Sequence, residues 1–189
     1  MEIIETDVVV VGGGQGGLGV GHYLAKSPLE FVVLEEGEPG ETWRSQRWDS
    51  FRLNTPNWMN GMPGAPYDGD DPWGFMSHHD LADSFERYIE AFALPVHTGT
   101  SVTSVSASTG SRRYLVEARR ADGDSVAFAT DSVVLACGVS RTPRIPAISG
   151  DVPGNILQLT TATYRSADTL PEGAVLVIGG GQSLSLIHI

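Results

Sequence analysis

Residues 7–36 constrain this chain more than any other stretch. Positions 8–11 are all valine; Gly12-Gly13-Gly14-Gln15-Gly16-Gly17 follows, then a helix-compatible stretch to Lys26, then Phe31-Val32-Val33-Leu34 ahead of Glu35-Glu36. An unbroken valine run suits a parallel strand buried on both faces, and the second apolar run reads the same way. Strand, glycine-rich turn, helix, strand is the opening of an α/β fold with a parallel sheet. The glycines satisfy G-x-G-x-x-G. Gly12 permits the tight turn, Gly14 lets backbone approach a pyrophosphate, and Gly17 lets the helix pack on the strand. The N–H groups of Gln15 and Gly16 fall where the helix begins and would face that anion. Glu35 closes the second strand, where a carboxylate accepts hydrogen bonds from an adenosine ribose, and Glu36 stands beside it. A carboxylate there repels a 2′-phosphate, so FAD or NAD fits this first site and NADP does not. The bland reading, a structural glycine turn and a solvated strand end, weakens once loop, strands and acid occur together.

Composition excludes several other classes. The 12 Lys and Arg against 23 Asp and Glu leave a net charge of -11 over 189 residues. Such a surface repels phosphate backbones and anionic lipid, which argues against nucleic-acid and membrane partners. No run reaches the length of a membrane span, and no basic region precedes an apolar stretch at the N-terminus, so a cytoplasmic location is expected. Cys137 is the single cysteine. It excludes a disulfide framework and a C-x-x-C redox pair within these residues.

Five prolines (39, 56, 63, 66 and 72) and all four tryptophans (43, 48, 58 and 73) fall within residues 39–73. That stretch cannot be a long helix and has too many aromatics for a floppy linker, so an ordered irregular excursion is expected. Residues 80–92 space apolar positions as an amphipathic helix does. Residues 102–105, 114–119 and 125–128 alternate as strands, with Asp122-Gly123 as a hairpin turn. Residues 132–136 read as a separate buried strand ending at Gly138. Residues 174–178 read as a further strand entering Gly179-Gly180-Gly181.

The combination Gly40-Glu41-Thr42-Trp43-Arg44, Arg47-Trp48-Asp49-Ser50, Leu53-Asn54-Thr55-Pro56, Met62-Pro63-Gly64 and Val133-Val134-Leu135-Ala136-Cys137-Gly138 resembles the FAD-binding half of flavin-containing monooxygenase-like oxidoreductases. The likeness resumes at Arg144-Ile145-Pro146 and Tyr164-Arg165 and reaches Ser183. It implies a Rossmann-like α/β FAD-binding domain over 1–168, with a parallel sheet and a small antiparallel β layer. Residues 169–189 would open a second, NAD(P)-binding unit. By the same resemblance Gly12, Gly14 and Gly17 meet the FAD pyrophosphate and Glu35 its ribose; Trp43 and Arg44 lie along the flavin side. Val102 meets the adenine, Asn54 and Thr55 lie near the isoalloxazine, Gly138 is a further cofactor-binding residue, and Gly179, Gly181, Gln182 and Ser183 receive NADPH. The implied activity is hydride transfer from NADPH to FAD, followed by C4a-(hydro)peroxyflavin oxygenation of a small organic substrate by O2. No side chain is nominated as a catalytic acid, base or nucleophile, and the oligomeric state is left open.

Several residues carry two readings. Trp48 and Trp58 are core or cofactor-facing. Arg44 is a phosphate or flavin contact or a surface cation. Asn54 either faces the flavin or only stabilises the turn before Pro56. His78-His79-Asp80 could suggest a metal, but a solvated cap on a helix starting at Asp80 accounts for them. Cys137 reads as a buried, inert thiol on an apolar strand. Two departures from the family pattern stand out. Thr160 occupies the histidine position of the monooxygenase fingerprint, with Gly154 and Ile156 in place of its Phe and Gly. Leu184 replaces the third glycine of the second loop. The first departure favours a reductase that does not oxygenate. The second, with only eight residues after Gly181, suggests a truncated product, or an inactive dinucleotide-binding module, with a tail at 184–189 foreign to the native frame. Because the family holds FAD partly through a returning segment, weak FAD retention is expected.

Overall fold

A computed structural model describes residues 2–138 and 143–183. Strand β1 (Glu2–Val11) leads through the glycine loop into helix α1 (Gln15–Leu24) and strand β2 (Phe31–Leu34). A short helix α2 (Glu41–Ser45), an irregular excursion and helix α3 (His78–Ala91) follow. Strands β3 (Val96–His97), β4 (Thr100–Ala107), β5 (Tyr114–Arg120) and β6 (Ser125–Leu135) complete the regular structure. Among the described residues these strands form one six-stranded sheet, ordered β3-β2-β1-β6-β5-β4. Pairing is parallel from β3 to β6 and antiparallel from β6 to β4. No helix among the described residues is long and apolar enough to cross a membrane.

The antiparallel part is not a separate layer at its root. The two runs at 125–128 and 132–136 are halves of one strand, β6, which pairs with β1 along nearly its whole length and with β5 as far as Thr130. Polar Thr130 does not break it, because the buried hydroxyl donates to the Asp7 carbonyl at 2.9 Å. The sheet then curls until the start of β4 returns to β2, with the Thr100 N–H donating to the Glu35 carbonyl at 2.8 Å. Val9, Val11, Val32, Leu34, Val116, Val126 and Phe128 fill the inside of that curl. On the other face Val8, Val10 and Val33 pack under Val20 and Leu24 of α1. The distal half of β6 is less covered than its composition predicts. Leu135 is 71% exposed, because β5 ends before reaching it.

Helix α3 starts two residues earlier than its apolar spacing predicts, because Ser77 and Asp80 form a capping box. Its apolar side, Leu81, Phe85 and Tyr88, meets Leu18, Leu53 and Met62. The Pro- and Trp-rich excursion is ordered, as expected. Buried Asn57 donates to the Asp71 carbonyl at 2.8 Å and accepts from the Met76 N–H at 2.7 Å, while Tyr88 donates to the Pro63 carbonyl at 2.6 Å. Trp48 is core at 3% exposure. Trp58 is not: it is 52% exposed and packs edge-to-face on exposed Trp73. Residues 174–178 carry no strand, contrary to their apolar run. Val175, Leu176 and Ile178 are exposed, and among the described residues no strand pairs with this run, which leaves it without the partner a strand requires.

Arg112 ties the sheet's start to its middle, reaching Asp7 at 2.8 Å and Asp131 at 2.6 Å. The Asp7 carboxyl is held below its ordinary value first by the Glu30 backbone N–H and then by Arg112; Asp131 is lowered chiefly by Arg112. A depressed carboxylate contributes stability above its unfolded pKa of about 4, and that stability is lost as pH falls through the lower folded value. Melting temperature should therefore drop on the acid side of about pH 4, and Arg112→Met should flatten that drop in a pH series of thermal melts.

Candidate dinucleotide-binding site

The first glycine loop is shaped by two glycines and left open at two others. Gly12 has φ +108° and donates to the Leu34 carbonyl at 2.8 Å; a Cβ there would stand 2.5 Å from the Ala136 oxygen. A Cβ on Gly17 would lie 1.8 Å from the Gly12 oxygen. Those two residues make the turn and seat the helix. Gly14 and Gly16 have nothing within 4 Å of an added Cβ. Gly14 caps α1 with no side-chain bond, and the first turn, which begins at exposed Gln15, has no acidic residue. Free N–H groups and the positive end of the helix dipole thus meet open space, a place suited to a phosphate.

Glu35 is held against this loop. Its Oε2 accepts from the Gly13 N–H at 2.6 Å and its Oε1 from the Gly37 N–H at 3.1 Å. The carboxylate therefore braces the loop, and its remaining lone pairs are the ones left for a ribose. Glu36 is exposed, and Val102 is half-buried at a register irregularity of β4. Gly138, with φ +72°, follows the turn of chain whose Ala136 and Cys137 press on Gly12. Cys137 is exposed rather than buried, because it lies past the end of β6.

The α2 region is arranged differently from its sequence motif. Arg44 reaches back to α3, pairing with Asp83 at 2.8 Å and Glu86 at 2.7 Å, so its charge is already matched within the chain. Arg47, part of a family-like motif but given no role there, donates to the Gln46 carbonyl at 2.9 Å and has no carboxylate partner among the described residues. Its guanidinium lies 4.5 Å from the Trp43 ring centre and 5.6 Å from that of Phe51, and burial lowers its pKa. Asn54 is exposed, while half-buried Thr55 donates to Asn60 Oδ1 at 2.6 Å. His78 is 2% exposed and does not form a solvated cap; Ser77 does the capping. The Nδ1 of His78 bonds the Trp43 carbonyl at 2.8 Å, and its Nε2 is buried without a partner among the described residues. An orphaned buried acceptor costs about 1–3 kcal/mol. No cluster of metal-ligating side chains occurs among the described residues. His78 and Arg47 could be found only through their neighbours, which the sequence does not show.

The second loop stands apart from the sheet. Gly179 has φ +119°, and Gly179, Gly181, Gln182 and Ser183 are exposed. Leu184 and the tail to Ile189 lie outside the described residues. Thr160 sits in a tight turn, receiving Tyr164 N–H on its carbonyl at 2.9 Å.

A glycine turn between a buried parallel strand and an uncapped helix, with a carboxylate bracing it from the next strand, defines the Rossmann-type class of dinucleotide-binding folds. Known proteins narrow the class. The profile of the pyridine nucleotide-disulphide oxidoreductase family matches residues 9–184, and the chain belongs to that family. It is 36% identical over 184 residues to an uncharacterized oxidoreductase, CzcO, of Bacillus velezensis, covering 97% of this chain and 51% of that protein. It is 25% identical over 183 residues to a probable indole-3-pyruvate monooxygenase, YUCCA10, of Arabidopsis thaliana, covering 95% and 47%. A flavin monooxygenase mutant from Stenotrophomonas maltophilia shares the fold with a TM-score of 0.78 and 29% identity, over 97% of this chain and 53% of that one. The chain spans about half the length of the curated relatives it matches.

Proposed function

We propose that residues 1–168 are the FAD-binding part of an NADPH-dependent flavin monooxygenase acting on a small organic molecule and O2, and that residues 169–189 open its NAD(P)-binding unit. The observation that carries this is the open space at Gly14 and Gly16, before an uncapped helix and beside braced Glu35. The residues fit the cofactor. The α1 N-terminus binds the pyrophosphate, Glu35 accepts from the ribose, and Trp43, Asn54, Thr55 and Gly138 border the remainder. Val102 meets the adenine, and Gly179, Gly181, Gln182 and Ser183 contribute to the NADPH site. When bound, FAD supplies two-electron chemistry and the activation of O2; the protein supplies orientation, charge placement and exclusion of water.

The direct test is an absorbance spectrum after incubation with FAD and removal of the free cofactor. Flavin absorbance retained by the folded chain, even below equimolar, supports the reading, and a folded chain that shows no binding when titrated with FAD to high concentration overturns it. Glu35→Ala should weaken FAD binding by about tenfold or more, since it removes an ionised acceptor and frees the loop. An unchanged affinity would remove Glu35 from the ribose role.

Thr160 favours a second reading, a flavoprotein reductase of the same fold that does not oxygenate. In an assembly that contains the second nucleotide unit, NADPH oxidation balanced by hydrogen peroxide, with no oxygenated product, would select it.

A further inference from the structure

Strand β1 is flanked on both sides only in its second half. It pairs with β6 from Glu2 to Val11, but with β2 only from Val8 to Val11. Among the described residues no strand pairs with residues 2–6 on the β2 side. Such an edge presents a row of backbone N–H and C=O groups that another chain can pair with. A cavity of about 440 Å3 adjoins it, lined by both Ile4-Glu5-Thr6 and Leu29-Glu30-Phe31. Ile4, Val32 and Phe128, which also line it, pack in the cluster inside the curled sheet, so the cavity is an unfilled end of that core. Two carboxylates stand at its rim. Glu5 is already engaged by the Ser111 hydroxyl at 2.8 Å. Glu30 has its backbone fixed, the N–H donating to Asp7 at 2.9 Å and the carbonyl accepting from the Val8 N–H at 3.1 Å. Its side chain is exposed and has no cation partner among the described residues.

We infer that this edge and cavity take a short extended segment of a basic partner protein, added to the sheet as a strand alongside residues 2–6. Its backbone pairs with the free edge, one apolar side chain fills the cavity, and a lysine or arginine meets Glu30. Main-chain pairing supplies affinity in this mode of recognition, and the pocket and the carboxylate supply selectivity. A second copy of this chain does not suit the edge. Pairing β1 with β1 would bring the Glu2 and Glu5 carboxylates of two copies together, each copy carrying a net charge of -11. The same glutamates and the same field favour a cationic segment. Ile4 precedes Gly12 by eight residues, about 26 Å of extended strand. The site is therefore separate from the glycine loop, and the inference does not rest on the FAD reading.

The test uses the 189-residue chain and a capped peptide of alternating character: lysine, valine, lysine, phenylalanine, lysine, valine. Calorimetric titration should show one peptide per chain, with the same affinity whether FAD is present or absent. Hydrogen exchange should slow at those amides of residues 2–6 that exchange fast in the free chain. Replacing the peptide's phenylalanine by alanine should cost at least about tenfold in affinity. N-methylation of one alternate set of its amides should abolish binding, and methylation of the other set should not, because only one edge of a strand faces β1. Glu30→Gln, at an exposed position, should melt like the parent and bind the peptide about threefold more weakly. Unchanged exchange at residues 2–6, or equal effects of the two methylations, would overturn the inference. So would equal binding of a peptide with its lysines grouped at one end, which would mean attraction by net charge alone. Binding of 2-phenylethylamine as tight as that of the peptide would make the cavity a small-amine site and overturn strand addition. A chain that sediments as a dimer, and becomes a monomer on Ile3→Lys, would make a second copy the occupant and overturn it too.

Discussion

Gly17→Ala should unseat α1 from β1 and abolish FAD retention. The new Cβ would stand 1.8 Å from the Gly12 oxygen and 3.3 Å from a Val10 methyl. The first contact is with backbone, which cannot rotate away, so the glycine loop itself has to move. Overpacking of this kind costs about 3 kcal/mol at the upper end of its usual range, or about 10 °C of melting temperature for a chain of this size. Gly19→Ala, two residues further along the same helix, supplies the control. Its nearest neighbour is Pro63 Cγ at 3.8 Å, an ordinary contact, and replacing a helical glycine by alanine gains up to about 1 kcal/mol. Melting temperatures of the pair should therefore move in opposite directions, and only Gly17→Ala should weaken FAD binding. A Gly17→Ala chain that melts and binds like the parent would mean that the loop is not the rigid cradle described above.

Phe85→Ala should be the most damaging core truncation on the helical side. Phe85 is 1% exposed in the cluster joining α1, α3 and the excursion. A Cβ on left-handed Gly40, the cap of α2, would lie 2.8 Å from Ala82 and 3.4 Å from the Phe85 ring, so α2 rests directly on this part of α3. Removing the ring leaves a cavity and costs about 3–5 kcal/mol. That is a large share of the total stability of an ordinary domain. Denaturant unfolding should show a clear fall in midpoint. Trp73→Ala, at an exposed site, should stay within about 0.5 kcal/mol of the parent.

The opening unit was legible because its signals are local. Four consecutive valines, a fixed glycine spacing and a carboxylate at the next strand's end lie within thirty residues, and each has a steric or electrostatic reason to be there. The union of β6 was not legible. Thr130 and Asp131 look like a break in an apolar pattern, and only the Asp7 carbonyl and Arg112, both distant in sequence, turn them into strand residues. The exposure of Leu135 and Cys137 has the same origin, since burial at a strand's end depends on where the neighbouring strand stops. In the candidate site, the roles of Gly12 and Gly17 in the turn follow from spacing alone. Arg44 and Arg47 do not, because two arginines three residues apart are equivalent until α3 presents Asp83 and Glu86 to one of them. His78 looked like a surface residue because histidine next to a helix start usually is one; Ser77 took the cap and left the ring to the interior.

The pairing of β1 with β6 sets an order in time. Val8 lies beside Ser132, a separation of 124 residues, and β1 is flanked by β2 and β6 in the finished sheet. On a ribosome adding about 5–20 residues per second, the first strand waits about 6–25 s for that partner. During the wait β1 and β2 have each other and α1, but one edge of a valine strand lies bare. Contacts this distant in sequence slow folding, and an uncovered apolar edge invites wrong partners. A nascent chain stalled before residue 125 should therefore bind a holdase chaperone, and one stalled after β6 has cleared the exit tunnel should not.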